Sequence, residues 1–239
     1  MTSIYLFALF VVVLLAGLSF FLFKNTGKNF LKLSLAFSGA FLLSLTVVEL
    51  LPAAYELDPL RVGYFILLGY FFQIILEYFS QGIEHGHVHL HKDKSGSFPL
   101  AFMISLAVHS YLEGIPLGTE HLVQEIKIKE LYTGIMLHHI PVAFALVSML
   151  VSSGLSKKIS IVYLAIFAAM CPLGAISAKY LGIEMMQDSS TFYLAVMGMV
   201  IGIFLHISTT ILFESSEDHK FNFTKLFIIV CGAVIGLMI

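Results

Sequence analysis

The chain has 239 residues, 59% of them hydrophobic and 12% charged, with a mean hydropathy of +0.95 and a formal net charge of −2. A soluble domain of this length needs far more charge to cover its surface, and the slight negative balance gives no electrostatic footing for a nucleic-acid partner. Both cysteines, Cys171 and Cys231, sit in apolar stretches, so they form no disulfide framework and leave the redox compartment open.

A transmembrane helix needs roughly 20 mostly apolar residues. Eight segments qualify: 4–23, 33–55, 62–82, 98–119, 131–152, 160–180, 191–213 and 223–239. Each is expected to be helical, because hydrocarbon offers backbone groups no partner outside their own segment. The first is read as a retained helix rather than a signal peptide, since Met1, Thr2 and Ser3 supply no basic n-region. Short connections predict an all-α integral membrane protein with a single polytopic domain over 1–239 and no soluble appendage. Lys24, Lys28, Lys32, Lys92, Lys94, Lys157, Lys158, Lys220 and Lys225 fall in or beside the odd loops; Arg61, Lys127, Lys129 and Lys179 fall beside the even ones. This bias predicts cytoplasmic odd loops and both termini on the outer side.

Along the chain, the second segment ends in Glu49-Leu-Leu-Pro52, with Glu56 and Asp58 beyond. These carboxylates suit either an acidic mouth that gathers cations or an ordinary helix end. Glu77 in the third segment and His206 in the seventh are ionisable groups in apolar helices with no evident partner; Thr209 and Thr210 are the polar neighbours of His206 along its own helix. Between the third and fourth segments, the predicted cytoplasmic loop 83–97 carries His85, His87, His89 and His91 at alternating positions, a composition that reads as metal binding. The competing reading is a polar loop with incidental histidines.

Ionisable groups are costly inside a bilayer and are functional suspects by default; the fourth and fifth segments concentrate them. In the fourth, His109 and Glu113 are four residues apart and share a helix face, an imidazole and a carboxylate of the kind zinc and its neighbours take. Pro116 denies the carbonyl of Leu112 its usual partner. In the fifth, His138 and His139 are adjacent, about 100° apart around a helix, so two neighbouring sites suit them better than one. Pro141 likewise frees the carbonyl of Leu137. Helices broken in this way are expected to line a water-filled cavity. The structural alternative is a His109–Glu113 hydrogen bond that only pins helices. Gly39, Gly69, Gly174, Gly198 and Gly202 read as close contacts between helices.

Those residues resemble the ZIP (Zrt/Irt-like) family of metal transporters. Its fourth-helix motif is close to His-Asn-x-Pro-Glu-Gly, where this chain reads His109-Ser110-Tyr111-Leu112-Glu113-Gly114. Its fifth-helix motif is close to His-Glu-x-Pro-His-Glu or Gln-Asp-x-Pro-Glu-Gly, against His138-His139-Ile140-Pro141-Val142-Ala143. Its sixth often holds Glu-Pro-hydrophobic-Gly-Ala, against Cys171-Pro172-Leu173-Gly174-Ala175. The resemblance implies an eight-helix ZIP-like bundle with a binuclear centre between the fourth and fifth helices. By position, the first site would use His109, Glu113 and His138; the second would use Ser110, Glu113, His139 and Cys171. Val142 stands where the family usually places a bridging glutamate or histidine, and Leu112 replaces the motif proline.

The expected function is therefore a multi-pass transporter, not an enzyme, that moves divalent transition metal ions, zinc foremost, toward the cytoplasm by alternating access. Zinc is its substrate and no cofactor is expected. The partners are metal ions and the lipid bilayer, with a homodimer left open; the location is a plasma or bacterial inner membrane. The rival is an intramembrane hydrolase in which His109, His138 and His139 hold a water-activating zinc. A third reading is a transporter-like sensor of low flux, which the donor missing at Val142 keeps open.

Overall fold

A computed structural model describes residues 3–23, 28–80, 100–119, 127–185, 189–214 and 223–239. All regular structure among them is helical: α1 (Ser3–Ser19), α2 (Lys28–Leu45), α3 (Leu51–Leu57), α4 (Val62–Ser80), α5 (Leu100–Gly118), α6 (Ile128–Ser152), α7 (Lys157–Met185), α8 (Ser189–Glu214) and α9 (Phe223–Gly236). A π-helical turn over Thr46–Leu50 joins α2 to α3, so the two run on as one rod. Helix thus lies over each of the eight apolar segments. The fourth and fifth segments are α5 and α6. By length and composition Asn29–Leu57, Ile128–Ser152, Lys157–Tyr180 and Ser190–Phe213 suffice to cross a membrane; Ser3–Ser19, Val62–Tyr78 and Phe223–Gly236 are shorter apolar helices. The loop 83–97, with His85, His87, His89 and His91, lies outside the described residues.

Local chemistry sets several helix ends. Asp58 Oδ1 accepts from the backbone N–H groups of Leu60 and Arg61, both at 3.0 Å, and so turns the chain into α4. Past the end of α6, Gly154 takes φ +85°, a left-handed conformation that side chains disfavour.

The helices sort into two groups by their neighbours. In one, α5 lies along α7, and α1 along α6 and α7; in the other, α4 lies along α8, and α2 along α9 and α8. Contacts of α2 with α6 and of α4 with α5 join the groups. Glycines make the closest seams. A Cβ on Gly114 or Gly118 would run into the carbonyls of Cys171 and Ala175 on α7; one on Gly174 would meet the carbonyl of Tyr111 on α5. Gly69 and Gly202 do the same between α4 and α8, so these glycines are the close contacts the sequence implies. Side-chain bonds cross between helices as well, from Ser105 Oγ to the Leu76 carbonyl (2.5 Å) and between Tyr111 Oη and Ser177 Oγ (2.6 Å).

The prolines do not break their helices. Helix α5 runs through Pro116, α6 through Pro141 and α7 through Pro172. Each proline costs its helix the hydrogen bond its own nitrogen would donate, and the helical backbone resumes beyond it. Near the end of α5, the backbone N–H and the hydroxyl of Thr119 both donate to the Pro116 carbonyl (3.1 and 2.8 Å), which closes the last turn. The outward faces are apolar: Leu22, Leu60, Tyr78 and Phe213 are about four-fifths exposed, a surface that suits lipid rather than water.

Candidate metal centre

Two helices supply the ionisable side chains. From α5, the i, i+4 spacing stacks His109 and Glu113 on one face; from α6 come His138 and His139. All four side chains are buried. Glu113 divides its carboxylate. Oε1 lies 3.2 Å from His109 Nε2, and Oε2 lies 2.6 Å from His139 Nε2. The second contact crosses from one helix to the other and is short enough to be charge-assisted.

His138 completes the cluster. Ligand atoms of His109, Glu113 and His138 all lie within 4.8 Å of one another, the one such His/Cys/Asp/Glu group among the described residues. Donors around a tetrahedral zinc sit roughly 3.3 Å apart, from bond lengths near 2.0–2.1 Å. The His109–Glu113 pair is already at that spacing, and small rotamer shifts would bring in His138. The His109 and His138 rings stand almost perpendicular (88°), 6.1 Å between centres, so their nitrogens can converge without the rings colliding.

The residues of the second expected site are less closely assembled. His139 is on the Glu113 carboxylate, as above. Ser110 Oγ is fully buried and has no hydrogen-bond partner among the described residues. Cys171 is buried on α7, where its carbonyl abuts Gly114, yet its sulfur is not part of the three-residue group. Val142, also buried, offers no donor.

Two further residues touch the cluster. Ser38 of α2 comes within 3.4 Å of His138 Nδ1, and the Phe167 ring of α7 lies 5.2 Å from the His139 ring. A contact on one ring nitrogen fixes which of the two faces an ion. Sequence spacing carries no trace of either, since Ser38 is 100 positions from His138.

The other ionisable groups in the apolar segments are engaged elsewhere. His206 Nε2 meets Glu77 Oε2 at 3.3 Å and its ring lies edge-on to Tyr70, a tie between α8 and α4 rather than part of the centre. Thr209 and Thr210 turn their hydroxyls to backbone carbonyls of their own helix. Glu49 is not an unbalanced carboxylate at a mouth: Lys127 Nζ lies 2.8 Å from its Oε2.

The match to known proteins rests on the half of the chain that holds this cluster. The family profile described as ZIP Zinc transporter matches residues 99–239, more than half of the chain. The chain belongs to the ZIP zinc transporter family. Similar proteins include zinc transporter ZIP9-B of Xenopus laevis, 25% identical over 153 residues (62% of this chain and 50% of that protein). Zinc transporter ZIP1 of Danio rerio is 29% identical over 155 residues (62% and 49%), and protein zntD of Dictyostelium discoideum 26% identical over 168 residues (64% and 24%). The chain spans about half the length of the ZIP9 and ZIP1 relatives it matches. ZIP membership and the long apolar helices make it a multi-pass membrane protein. The matched region includes every residue of the cluster except Ser38.

Proposed function

We propose that the chain carries divalent transition metal ions, zinc foremost, across a bilayer, binding them at the cluster of His109, Glu113 and His138 between α5 and α6. The observation that carries this reading is the fully buried carboxylate of Glu113 held between imidazoles from two helices in a chain of the ZIP family. Imidazole nitrogen with carboxylate oxygen is the donor set that zinc and its neighbours take. His139 and Ser110 belong to a second, adjoining position. The buried Ser110 hydroxyl has no partner among the described residues, a cost of about 1–3 kcal/mol that a bound cation would offset. Cys171, buried on α7 beside Gly114, is a further candidate donor to that position.

Burial has a mechanical consequence. His109, Glu113, His138 and His139 are at most 1% exposed, so ions reach them only when helices part. All four sit on the group formed by α1, α5, α6 and α7, and Ser38 is a contact to them from the other group. Alternating access then takes the form of one group rocking against the other around the site. The eight apolar segments are eight crossings, with both termini outside, so that ions move inward and are released beside the histidine-bearing loop 83–97. Membership of a transporter family favours this reading over the hydrolase.

Zinc uptake into proteoliposomes, measured for the parent and for a His109→Ala/Glu113→Ala variant, tests the proposal. Uptake by the parent that vanishes in the variant is the expected result. A folded parent that binds zinc but moves none would leave the sensor or the enzyme.

A further inference from the structure

The two helix groups are tied together on either side of the metal cluster, and the ties differ in kind. One runs along the seam between α2 and α6. Beyond the contact of Ser38 with His138, one turn on along α2 and one turn back along α6, a Cβ on Gly134 would meet the side chains of Leu42 and Leu45. Further along the same seam, Glu49 Oε2 lies 2.8 Å from Lys127 Nζ, at the entry to α6. Ser38, Leu42, Leu45 and Glu49 thus form one stripe of α2 that meets α6 in antiparallel register. At a rise of about 1.5 Å per residue, the ion pair stands about 16 Å along α6 from His138.

The other tie lies toward the start of α5. Ser105, one turn before His109, donates to the Leu76 carbonyl of α4 at 2.5 Å. Leu42 and Leu45 on one approach and Leu106 on the other are fully buried. Between these ties, only the first is made of charges that water reaches: the side chains of Glu49 and Lys127 are 22% and 42% exposed. A buried ion pair is very costly to break. An exposed one is weak and shifts an equilibrium by about fivefold at most. Such a tie can close a path and still yield. Glu49 also sits in the π turn Thr46–Leu50, an irregularity of a kind that recurs at functional sites.

We propose that the Glu49–Lys127 ion pair is a latch that holds α2 against α6, keeps the Leu42 and Leu45 end of the seam shut over the metal cluster, and parts when the two helix groups separate. Glu130 makes the parting easier. Its Oε1 lies 3.8 Å from the same ammonium and belongs to the same helix group as Lys127, so the lysine keeps a counter-charge when α2 moves away.

The bearing of the latch on ions rests on the transport reading. An ion that approaches the cluster along this seam passes only in the arrangement where the pair is broken, and the pair sets how often that arrangement occurs. Neutralising either partner therefore shifts the population toward the open seam, while exchanging the two charges between the helices preserves the attraction and the closed one.

Thiol labelling of the full chain in detergent micelles tests the latch. The probe is Leu45→Cys, and its rate of reaction with iodoacetamide, an uncharged reagent, is read at that peptide by mass spectrometry. Added to this background, Glu49→Gln and Lys127→Gln are each expected to raise the rate by at least about threefold, and Glu49→Lys/Lys127→Glu to restore the slow rate. A smaller rise in either single variant overturns the proposal. So does a rise in one with a fall in the other, because a nearby charge then acts only on ionisation of the thiol. Leu106→Cys, on the other approach, should stay slow throughout; equal acceleration there overturns the latch, since the pair then merely stabilises the fold. Where Leu45→Cys does not fold, Leu42→Cys carries the same reading. Labelling involves no ion flux, so a chain that moves no zinc can still show the latch, and a failed latch leaves zinc uptake an independent result.

Discussion

Oε2 of Glu113 and Nε2 of His139 stand 2.6 Å apart across the seam between α5 and α6, with neither side chain open to solvent. Two helices thus meet through a carboxylate that also serves His109. Removing its charge while keeping its shape should separate binding from folding. Glu113→Gln is expected to weaken zinc binding by at least about 100-fold, beyond the loss typical of a residue that merely supports a ligand. Isothermal titration of the purified protein measures this, and binding within a few-fold of the parent would remove Glu113 from the site.

The fit between α5 and α7 depends on having no side chain at Gly114, whose Cβ would strike the Cys171 carbonyl. Backbone cannot yield as a flexible side chain can. Gly114→Ala should cost about 1–3 kcal/mol of stability and, since it displaces the turn that bears Glu113 and Ser110, weaken zinc binding too. Gly63→Ala is the matched control: its Cβ would find Tyr55 Oη at 3.5 Å, an ordinary contact, and its effect should stay within about 0.5 kcal/mol. Thermal melts in detergent compare the two, and equal effects would mean that the close approach at Gly114 has no energetic weight.

Much of this was legible in the sequence, for identifiable reasons. Runs of apolar residues locate helices because the bilayer permits little else, and the i, i+4 rule places His109 beside Glu113 from spacing alone. Contacts between helices were not legible. Ser38 beneath His138, Phe167 against His139, and the pairs Glu77–His206 and Glu49–Lys127 join positions 28 to 129 residues apart, which no periodicity links. The prolines misled in the opposite sense. Local chemistry implies a break at Pro116 and Pro141, while α5 and α6 run on as helix through both.

Lys127, at the entry to α6, provides a pH test with a definite sign. Its hydrogen bond to Glu49, and then the Glu49 charge, hold the ammonium above the ordinary lysine pKa. A raised folded-state pKa adds stability that is fully present below the unfolded value, about 10.4, and is lost as pH rises through the folded value. The parent should therefore keep a constant advantage over Glu49→Gln from pH 6 to about 10 and lose it above. The gap should also narrow in high salt, because Lys127 is partly exposed. Melting temperatures across that range decide the matter; a gap that persists undiminished at pH 12 would mean that Glu49 acts through something other than this pair.

His206 and Glu77 should behave differently from the cluster. They tie α8 to α4 at 3.3 Å and share no contact with His109 or His138 among those described. His206→Ala is expected to cost about 0.5–2 kcal/mol, the range for polar contacts between membrane helices, and to leave the zinc stoichiometry unchanged. Loss of a bound zinc from a His206→Ala protein that remains folded would make that pair a further metal position, apart from the central cluster.

Val142 yields the most discriminating variant, because it asks for a gain. It lies four residues past His138 and three past His139, on the face of α6 that both histidines share with it, and is 1% exposed. A carboxylate placed at so buried a position is costly to ionise, so metal-free Val142→Glu should be less stable than the parent. If that carboxylate reaches the ion, zinc reverses the sign by turning a buried charge into a ligand, and every tenfold gain in affinity adds about 1.4 kcal/mol to the folded state at saturating metal. The expected signature is a lowered melting temperature without zinc together with a larger zinc-induced rise than the parent shows. A drop without the larger rise would place Val142 away from the ion, and the two metal positions would then not share a ligand at that point of α6.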